Sequence, residues 1–532
     1  MNLTNTTPEH ILKIIKGMQP KNSNDIDGQS TRLIKLIGLE ISCPLAHIFN
    51  LSLSSGNFPS KLKQCRVIPI FKSGSRLECD NYRPISLLNS ISKVLEKIVC
   101  EKLIYHLETN NLLYVHQYGF LPNRSTEQNL LQITKYITEA LNDKMLCVGV
   151  FLDLKKAFDV CSHEILLKKL EKMGIRGIAH KWFKNYLAGR SQRVDIQGFL
   201  SEALNIDISV IQGSNLGPLL FLCYINDLWR ATSLLSVLFA DDTACLAKHR
   251  NMIELRDFVN LELKKIANWF RSNKMAVNTS KTKFIIFRTR CKEINNADCG
   301  IVFNGNELGQ PEDPNLIFPI DRIHDAGSEK SFKLLGVHFD EYLSFNAHID
   351  FLCAKISKSL FCINRVKNIL EKSSLRQIYL SLVHSNIVYC INVYGSANKT
   401  ALDRLELKQR KAIRTITNST YRAHTAPLFV DLQVLPLTQL ITLNNLTFMH
   451  KYVHNKLPIS FAGMWQTNRQ RNPDVVLRNA DKFYIPPHHY ETLKKLPLFY
   501  FPSLWNDEDD ILSPIRHRYE KIVKRRLLSS LT

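Results

Sequence analysis

The chain has 532 residues, 45% of them hydrophobic, a globular composition without a long low-complexity tract that leaves room for roughly two to four subdomains. Lys and Arg outnumber Asp and Glu by 70 to 48, and a net charge of +22 favours a polyanionic partner, because each neutralised phosphate releases counterions; a basic surface with no dedicated partner is the plainer reading. The thirteen cysteines contain no C-x-x-C pair and mostly sit in apolar runs, while Met1 to Pro20 has no signal-like apolar stretch, so an intracellular, non-membrane protein with reduced thiols is expected.

Residues 30 to 55 read as helical, with Leu33, Ile34, Ile37, Ile41, Leu45 and Ile48 near helical spacing and Pro44 set to bend or break the segment. Gly56 to Lys61 reads as a turn. Arg66 to Lys72 is a basic strand leading through a polar loop to Tyr82-Arg83-Pro84. Ile91, Val94, Leu95, Ile98, Leu103 and Leu107 form a helical stripe behind an Asn89 or Ser90 cap. A second helix starts near Ser125, whose spacing to Gln128 is that of a capping box.

Leu146 to Leu154 is a short apolar run and reads as a buried strand. Helices follow at 162–173 and 178–188, closed by Gly174 and Gly189. Residues 193–210 alternate like a hairpin, 216–229 reads as a helix entered at Pro218, and Leu234 to Leu246 is a strand pattern interrupted by two acids. A long amphipathic helix is expected over 251–273, then a polar stretch at 289–330 with an Asn304-Gly305 hairpin signal, and mostly helices from 345 onward. Strands interleaved with helices, then a helical end, give an α+β class.

Three acids stand out. Asp153 closes the run Val148-Gly149-Val150-Phe151-Leu152, and Asp241-Asp242 interrupts Val237-Leu238-Phe239-Ala240. A carboxylate at the end of a buried strand is costly unless its charge is compensated, and two adjacent ones raise each other's pKa. A divalent cation resolves both problems, since Mg²⁺ takes few carboxylates and completes its shell with water and substrate phosphates. Two such ions suit an in-line phosphoryl displacement. Alone, Asp-Asp is equally an ordinary turn pair.

The surrounding motifs narrow this. Phe151-Leu152-Asp153-Leu154-Lys155-Lys156-Ala157-Phe158-Asp159 resembles the first catalytic motif of reverse transcriptases, and Phe239-Ala240-Asp241-Asp242 resembles the second. Between them, Gln212-Gly213-Ser214-Asn215-Leu216-Gly217-Pro218 resembles the glycine-rich motif B. Pro69-Ile70-Phe71-Lys72, Asn81-Tyr82-Arg83-Pro84-Ile85-Ser86, Gln117-Tyr118-Gly119-Phe120, Arg124-Ser125-Thr126, Asn278 with Lys281-Thr282, and Leu334-Leu335-Gly336-Val337 match further blocks. The whole looks most like the non-LTR retrotransposon enzymes of the jockey type, with Ile211 and Asn215 as departures from the usual pattern.

The resemblance implies a right-hand polymerase: an N-terminal extension at 1–52, fingers and palm at 53–340, a thumb-like region at 341–420 and a C-terminal region of unassigned role at 421–532. It implies Asp153, Asp241 and Asp242 as ligands of two Mg²⁺ ions, replaceable by Mn²⁺. Phe158 would be a steric gate against a 2′-hydroxyl. Lys72 and Arg83 would hold the triphosphate, Gln212 and Gly213 would meet the nucleotide, and Lys281 would be a general acid. The implied partners are an RNA template, a DNA primer and deoxynucleoside triphosphates, and an upstream endonuclease is expected in the full element. The nucleus is the expected place of work. A decayed RNA-binding copy and a maturase-like RNA chaperone are the alternatives. Lys408, Arg410, Lys411 and Arg414 are candidates for backbone contacts or plain solvated charge, and the last hundred residues carry a basic tail, Lys524-Arg525-Arg526.

Overall fold

The computed structural model describes residues 1–304, 317–474, 478–507 and 516–531. Helices α1 (Pro8–Gly17), α2 (Thr31–Leu36) and α3 (Gly38–Ser55) open the chain. The break expected at Pro44 falls instead at Ile37, and Pro44 lies inside α3. Its ring is on the solvent face, where water can satisfy the carbonyl one turn back.

Strands β1 (Gln64–Phe71) and β2 (Tyr82–Leu88) pair antiparallel, with Ile70 opposite Arg83. Helix α4 (Ser90–Thr109) is capped by Asn89, whose side chain accepts from the Ile91 and Ser92 amides, and α5 (Thr126–Asn142) has the expected Ser125–Gln128 capping box. Strand β3 (Leu146–Leu152) is buried along its whole length. Helices α6 (His163–Lys172) and α7 (Gly177–Leu187) then lead to β4 (Arg190–Ile196).

The hairpin expected at 193–210 is shorter than its alternation suggested. Strand β5 (Phe199–Leu200) turns back on β4, and β6 (Leu204–Ile206) pairs with the start of the same strand. Helix α8 (Gly217–Ile225) stops four residues short of the expected end and passes into a 3₁₀ turn at Leu228–Ala231. Strands β7 (Leu235–Phe239) and β8 (Asp242–His249) form a tight hairpin, followed by α9 (Met252–Ser272) and β9 (Lys283–Phe287). Strands Val302–Asn304 and Ile317–Pro319 pair antiparallel across the Asn304-Gly305 signal, whose turn lies outside the described residues.

Two sheets carry the architecture. One has the order β2-β1-β4-β5, with β1 parallel to β4 and β6 also on β4. The other has β9-β3-β8-β7 with the short strand Asp321–Ile323 beyond β9. In that second sheet both faces are covered, which is why its strands read as continuous apolar runs. Val148, Val150 and Leu152 enter one core with α4, α8 and α9, whereas Cys147 and Phe151 enter another with α5 and the C-terminal helices. This is the α+β, palm-and-fingers arrangement that the motif order implied.

From α10 (Asn346–Val366) the described chain is mostly helical. Beyond it the chain runs through α11 (Lys372–Tyr379), a π turn at Leu380–His384 and a short helix Ser385–Val388. Helix Pro497–Asn506 packs against α5, and Leu437–Val453 packs against Pro497–Asn506 in turn. Among the described residues no helix is long and apolar enough to cross a membrane.

Ser125 caps the first turn of α5, the helix that packs on β7 and β8. Ser125→Ala should lower unfolding stability by about 1 kcal/mol, the usual cost of a lost N-cap, in urea denaturation followed by circular dichroism.

Candidate active site

Asp153 sits just past the end of β3, and its backbone is fixed on both sides. The Asn278 amide donates to the Asp153 carbonyl at 2.7 Å, and the Asp153 amide donates to Thr282 Oγ1 at 3.3 Å. The 278–282 turn therefore lies directly against the first acid, with Lys281 exposed at its tip.

Asp241 and Asp242 sit in the β7–β8 hairpin. Phe239 pairs with Asp242, so Ala240 and Asp241 are the two turn residues. Ala240 has φ 56°, the positive value that a two-residue hairpin turn demands at its first position and that a Cβ-bearing residue rarely adopts. In the β3–β8 ladder Leu152 faces Thr243. One step further along the same register, Asp153 faces Asp242. Antiparallel pairing thus brings together acids that are 89 positions apart in the chain.

The electrostatics follow from this placement. Crowding by the protein, then Asp241, then Asp153, pushes the Asp242 carboxyl up to about 6, although its side chain still reaches solvent. Asp241 is also raised, by burial first and by Asp153, while the positive charges of Arg83 and Lys72 oppose the rise. Lys72 and Arg83 are exposed, at the end of β1 and on β2, and their charge reaches Asp241 from the neighbouring sheet.

Among the described residues, no three His, Cys, Asp or Glu side chains converge into a ready-made metal cage. Half-open carboxylates that raise one another's pKa are nonetheless a donor set that a divalent cation would relieve. Mg²⁺ suits it, because that ion keeps several waters and usually takes only one or two carboxylates from the protein.

Phe158 stacks on Phe221, ring centroids 4.6 Å apart, with Phe120 edge-on at 6.1 Å. It is only partly buried, so one edge stays open. Gln212 Nε2 donates to Asp159 Oδ1 at 3.0 Å, which ties motif B to the loop after Asp153. Gly213 has φ 118°, and an added Cβ would overlap the Ser86 carbonyl of β2. Its lack of a side chain is thus required by the chain's own strand.

Two contributors carried no role in the sequence reading. Glu96 on α4 is fully buried, and its carboxylate accepts from the Asn215 amide at 2.8 Å and from the Tyr186 hydroxyl at 3.1 Å. Burial raises its pKa, against the pull of Arg190. The departure residue Asn215 donates from its side chain to the Lys93 carbonyl at 2.7 Å, so motif B is fastened to α4 at two points. An acid inside the apolar stripe of α4 was the available signal. The other is Gln117, whose Oε1 accepts from the Gly119 amide at 2.9 Å and from the Ala240 amide at 3.0 Å. Its position in a quoted motif marked it, but no local pattern revealed the turn beneath which it lies.

Comparison with known proteins agrees with this geometry. Residues 70–339, just over half of the chain, match the family described as "Reverse transcriptase (RNA-dependent DNA polymerase)". The chain is 27% identical over 510 residues to the RNA-directed DNA polymerase from mobile element jockey of Drosophila melanogaster, covering 93% of this chain and 52% of that protein. The corresponding jockey polymerase of Drosophila funebris is 27% identical over 441 residues, 80% of this chain and 46% of the relative. A probable RNA-directed DNA polymerase from transposon BS of Drosophila melanogaster is 28% identical over 438 residues, again 80% and 46%. The chain spans about half the length of the curated relatives it matches.

The raised Asp242 carboxyl has a consequence for stability. Because its folded pKa of about 6 exceeds the unfolded value, the native state holds the extra proton between about pH 4 and pH 6, and cation-free stability falls as pH rises through that window. Asp242→Asn should flatten that fall in thermal melts, and Mg²⁺ at neutral pH should raise the melting temperature of the unmutated chain more than that of the variant. Identical curves for both proteins would refute the assignment.

Proposed function

Because this chain belongs to the reverse transcriptase family, we propose that it is an RNA-directed DNA polymerase that extends a primer 3′ end along an RNA template. The observation that carries the reading is the register of β3 on β8, which sets Asp153 against Asp242 next to the Asp241 turn, with the charges of Lys72 and Arg83 felt at Asp241. Acids on one side and cations on the other leave between them a place for a metal-bound triphosphate.

Each residue has a task in this reading. Asp153, Asp241 and Asp242 would hold two Mg²⁺ ions, or Mn²⁺ in their place. Bound there, such ions supply charge stabilisation at the attacking and leaving oxygens. Lys72 is a mobile point charge and Arg83 a planar fork, a complementary pair for gripping phosphate oxygens. Phe158, wedged against Phe221, presents its open edge where a sugar would lie and would exclude a 2′-hydroxyl. Gln212, held by Asp159, and Gly213, close to β2, would form the floor beneath the nucleotide. Lys281, exposed beside the Thr282–Asp153 contact, would give a proton to the departing pyrophosphate.

The net charge of +22 supplies a sequence-independent hold on the template and primer backbone. Copying into a chromosomal target would place the work in the nucleus.

Purified chain should incorporate deoxynucleotides on an RNA template with a DNA primer only when Mg²⁺ or Mn²⁺ is present. Asp241→Ala should reduce kcat by roughly a hundredfold or more, the scale of losing one electrostatic contributor to a transition state. Phe158→Ala should raise ribonucleotide incorporation about tenfold or more relative to deoxynucleotides, as expected when a steric wall is removed. No metal-dependent extension by the unmutated chain would sink the polymerase reading.

A further inference from the structure

The turn that presents Asp241 and Asp242 is not self-sufficient. Ala240 holds a positive φ without being glycine, and such a conformation persists only where its surroundings over-determine it. Residues 116–119 supply those surroundings by running parallel to the edge of β7. The Leu238 amide donates to the His116 carbonyl at 2.9 Å, and the Tyr118 amide donates to the Leu238 carbonyl at 2.8 Å. Asn129 of α5 adds a third bond, Nδ2 to the same carbonyl at 3.0 Å.

Gln117 makes the contact with the turn itself. Its Oε1 accepts from two amides, those of Gly119 and Ala240, and both partners being donors fixes which way the carboxamide points. The side chain is 2% exposed, so water does not compete for the Ala240 amide. Gly119 packs so closely that an added Cβ would overlap the Ala240 nitrogen. The identity of residue 117 matters for a second reason. A glutamate there would offer the same acceptor but would add a fourth negative charge beside carboxyls that already raise one another.

The next residue links this brace to the C-terminal region. Tyr118 is 1% exposed, and its hydroxyl lies 2.7 Å from Ser460 Oγ. Gln132 of α5 donates from Nε2 to the Ser460 carbonyl at 2.8 Å, which holds that serine in place. The path from Ser460 to Ala240 is thus continuous: one hydroxyl contact, one backbone step and one carboxamide.

We propose that Gln117 is a positioning residue that sets the Asp241–Asp242 turn, and that the C-terminal region locks it through the Tyr118–Ser460 contact. The proposal rests on the polymerase reading for its effect on turnover, but not for its effect on the turn. The C-terminal region is then a working part of the catalytic unit, acting on the geometry of the metal ligands from behind.

The test combines amide hydrogen exchange at Ala240 with steady-state primer extension. Gln117→Ala should speed Ala240 exchange by about tenfold or more, because the amide loses its buried acceptor. It should lower kcat about tenfold and raise the Mg²⁺ needed for half-maximal rate several-fold, while the deoxynucleotide KM stays within about twofold. Gln117→Glu should restore slow exchange but move the pH–rate profile to higher pH, which a purely structural role would not do. Should Gln117→Ala fail to fold, Gln117→Met keeps the volume and removes only the acceptor.

Tyr118→Phe and Ser460→Ala should each give a smaller loss of the same kind, and the double variant should lose no more than either alone. Unchanged Ala240 exchange in Gln117→Ala and Gln117→Met, or a loss confined to KM, overturns the positioning role. Additive or absent effects at Tyr118 and Ser460 overturn the part given to the C-terminal region. An unmutated chain that extends no primer refutes the polymerase reading, and the exchange rates then decide the brace by themselves.

Discussion

The antiparallel register of β3 on β8 is the constraint on which the site depends. Because Leu152 faces Thr243, the strand-end Asp153 comes to stand against Asp242 at the open end of the sheet. Side chains alternate faces along a strand, so a slip of one residue would send Asp153 to the opposite face and break the cluster. That register is protected by burial on both sides. Val148, Val150 and Leu152 fill one core while Cys147 and Phe151 fill the other, and no shifted pairing serves both.

Burial that fixes the register also makes the acids costly. Desolvation is the largest influence on both Asp241 and Asp242, and their mutual repulsion adds to it. The fold does not relieve this with a salt bridge inside the sheet. It sets Lys72 and Arg83 at a distance, on the neighbouring sheet, where they temper Asp241 without closing the space between. The carboxyls are thus left raised above their ordinary range, a strain that a bound cation would remove.

The two sheets are held in relation by contacts that the motifs alone do not disclose. The Ser86 amide of β2 donates to the Gln212 carbonyl at 2.8 Å, and Gly213 fits under the same residue. Glu96 and Asn215 fasten the other end of that loop to α4. An exposed ion pair, Lys156 with Asp80 at 2.9 Å, spans from the loop after Asp153 to the β1–β2 loop. Being exposed, it sets geometry more than it adds stability. On the far side, the helices beyond residue 437 cover α5 and meet the 116–119 segment, so the acidic hairpin is supported from both directions.

Much of this was legible in the sequence, for identifiable reasons. Local chemistry determined the Ser125 capping box, the buried run at Leu146 and the long helix after Asn251, because each depends on residues within a few positions. The order of the motifs determined the family. Local pattern misled where a neighbour's contribution decides the outcome: Pro44 was tolerated because it faces water, and α8 stopped at Ile225 where Asn226 turns away to bond the Leu112 carbonyl and the Tyr114 amide. The sequence by itself singled out Asp153, Asp241, Asp242 and the motifs around them. Only the tertiary structure decided that Asp153 meets Asp242, that Gln117 lies under Ala240 and that Ser460 stands behind Tyr118. Those contacts join residues 89, 123 and 342 positions apart, and separations of that size are fixed by strand register and helix packing, which no local window contains.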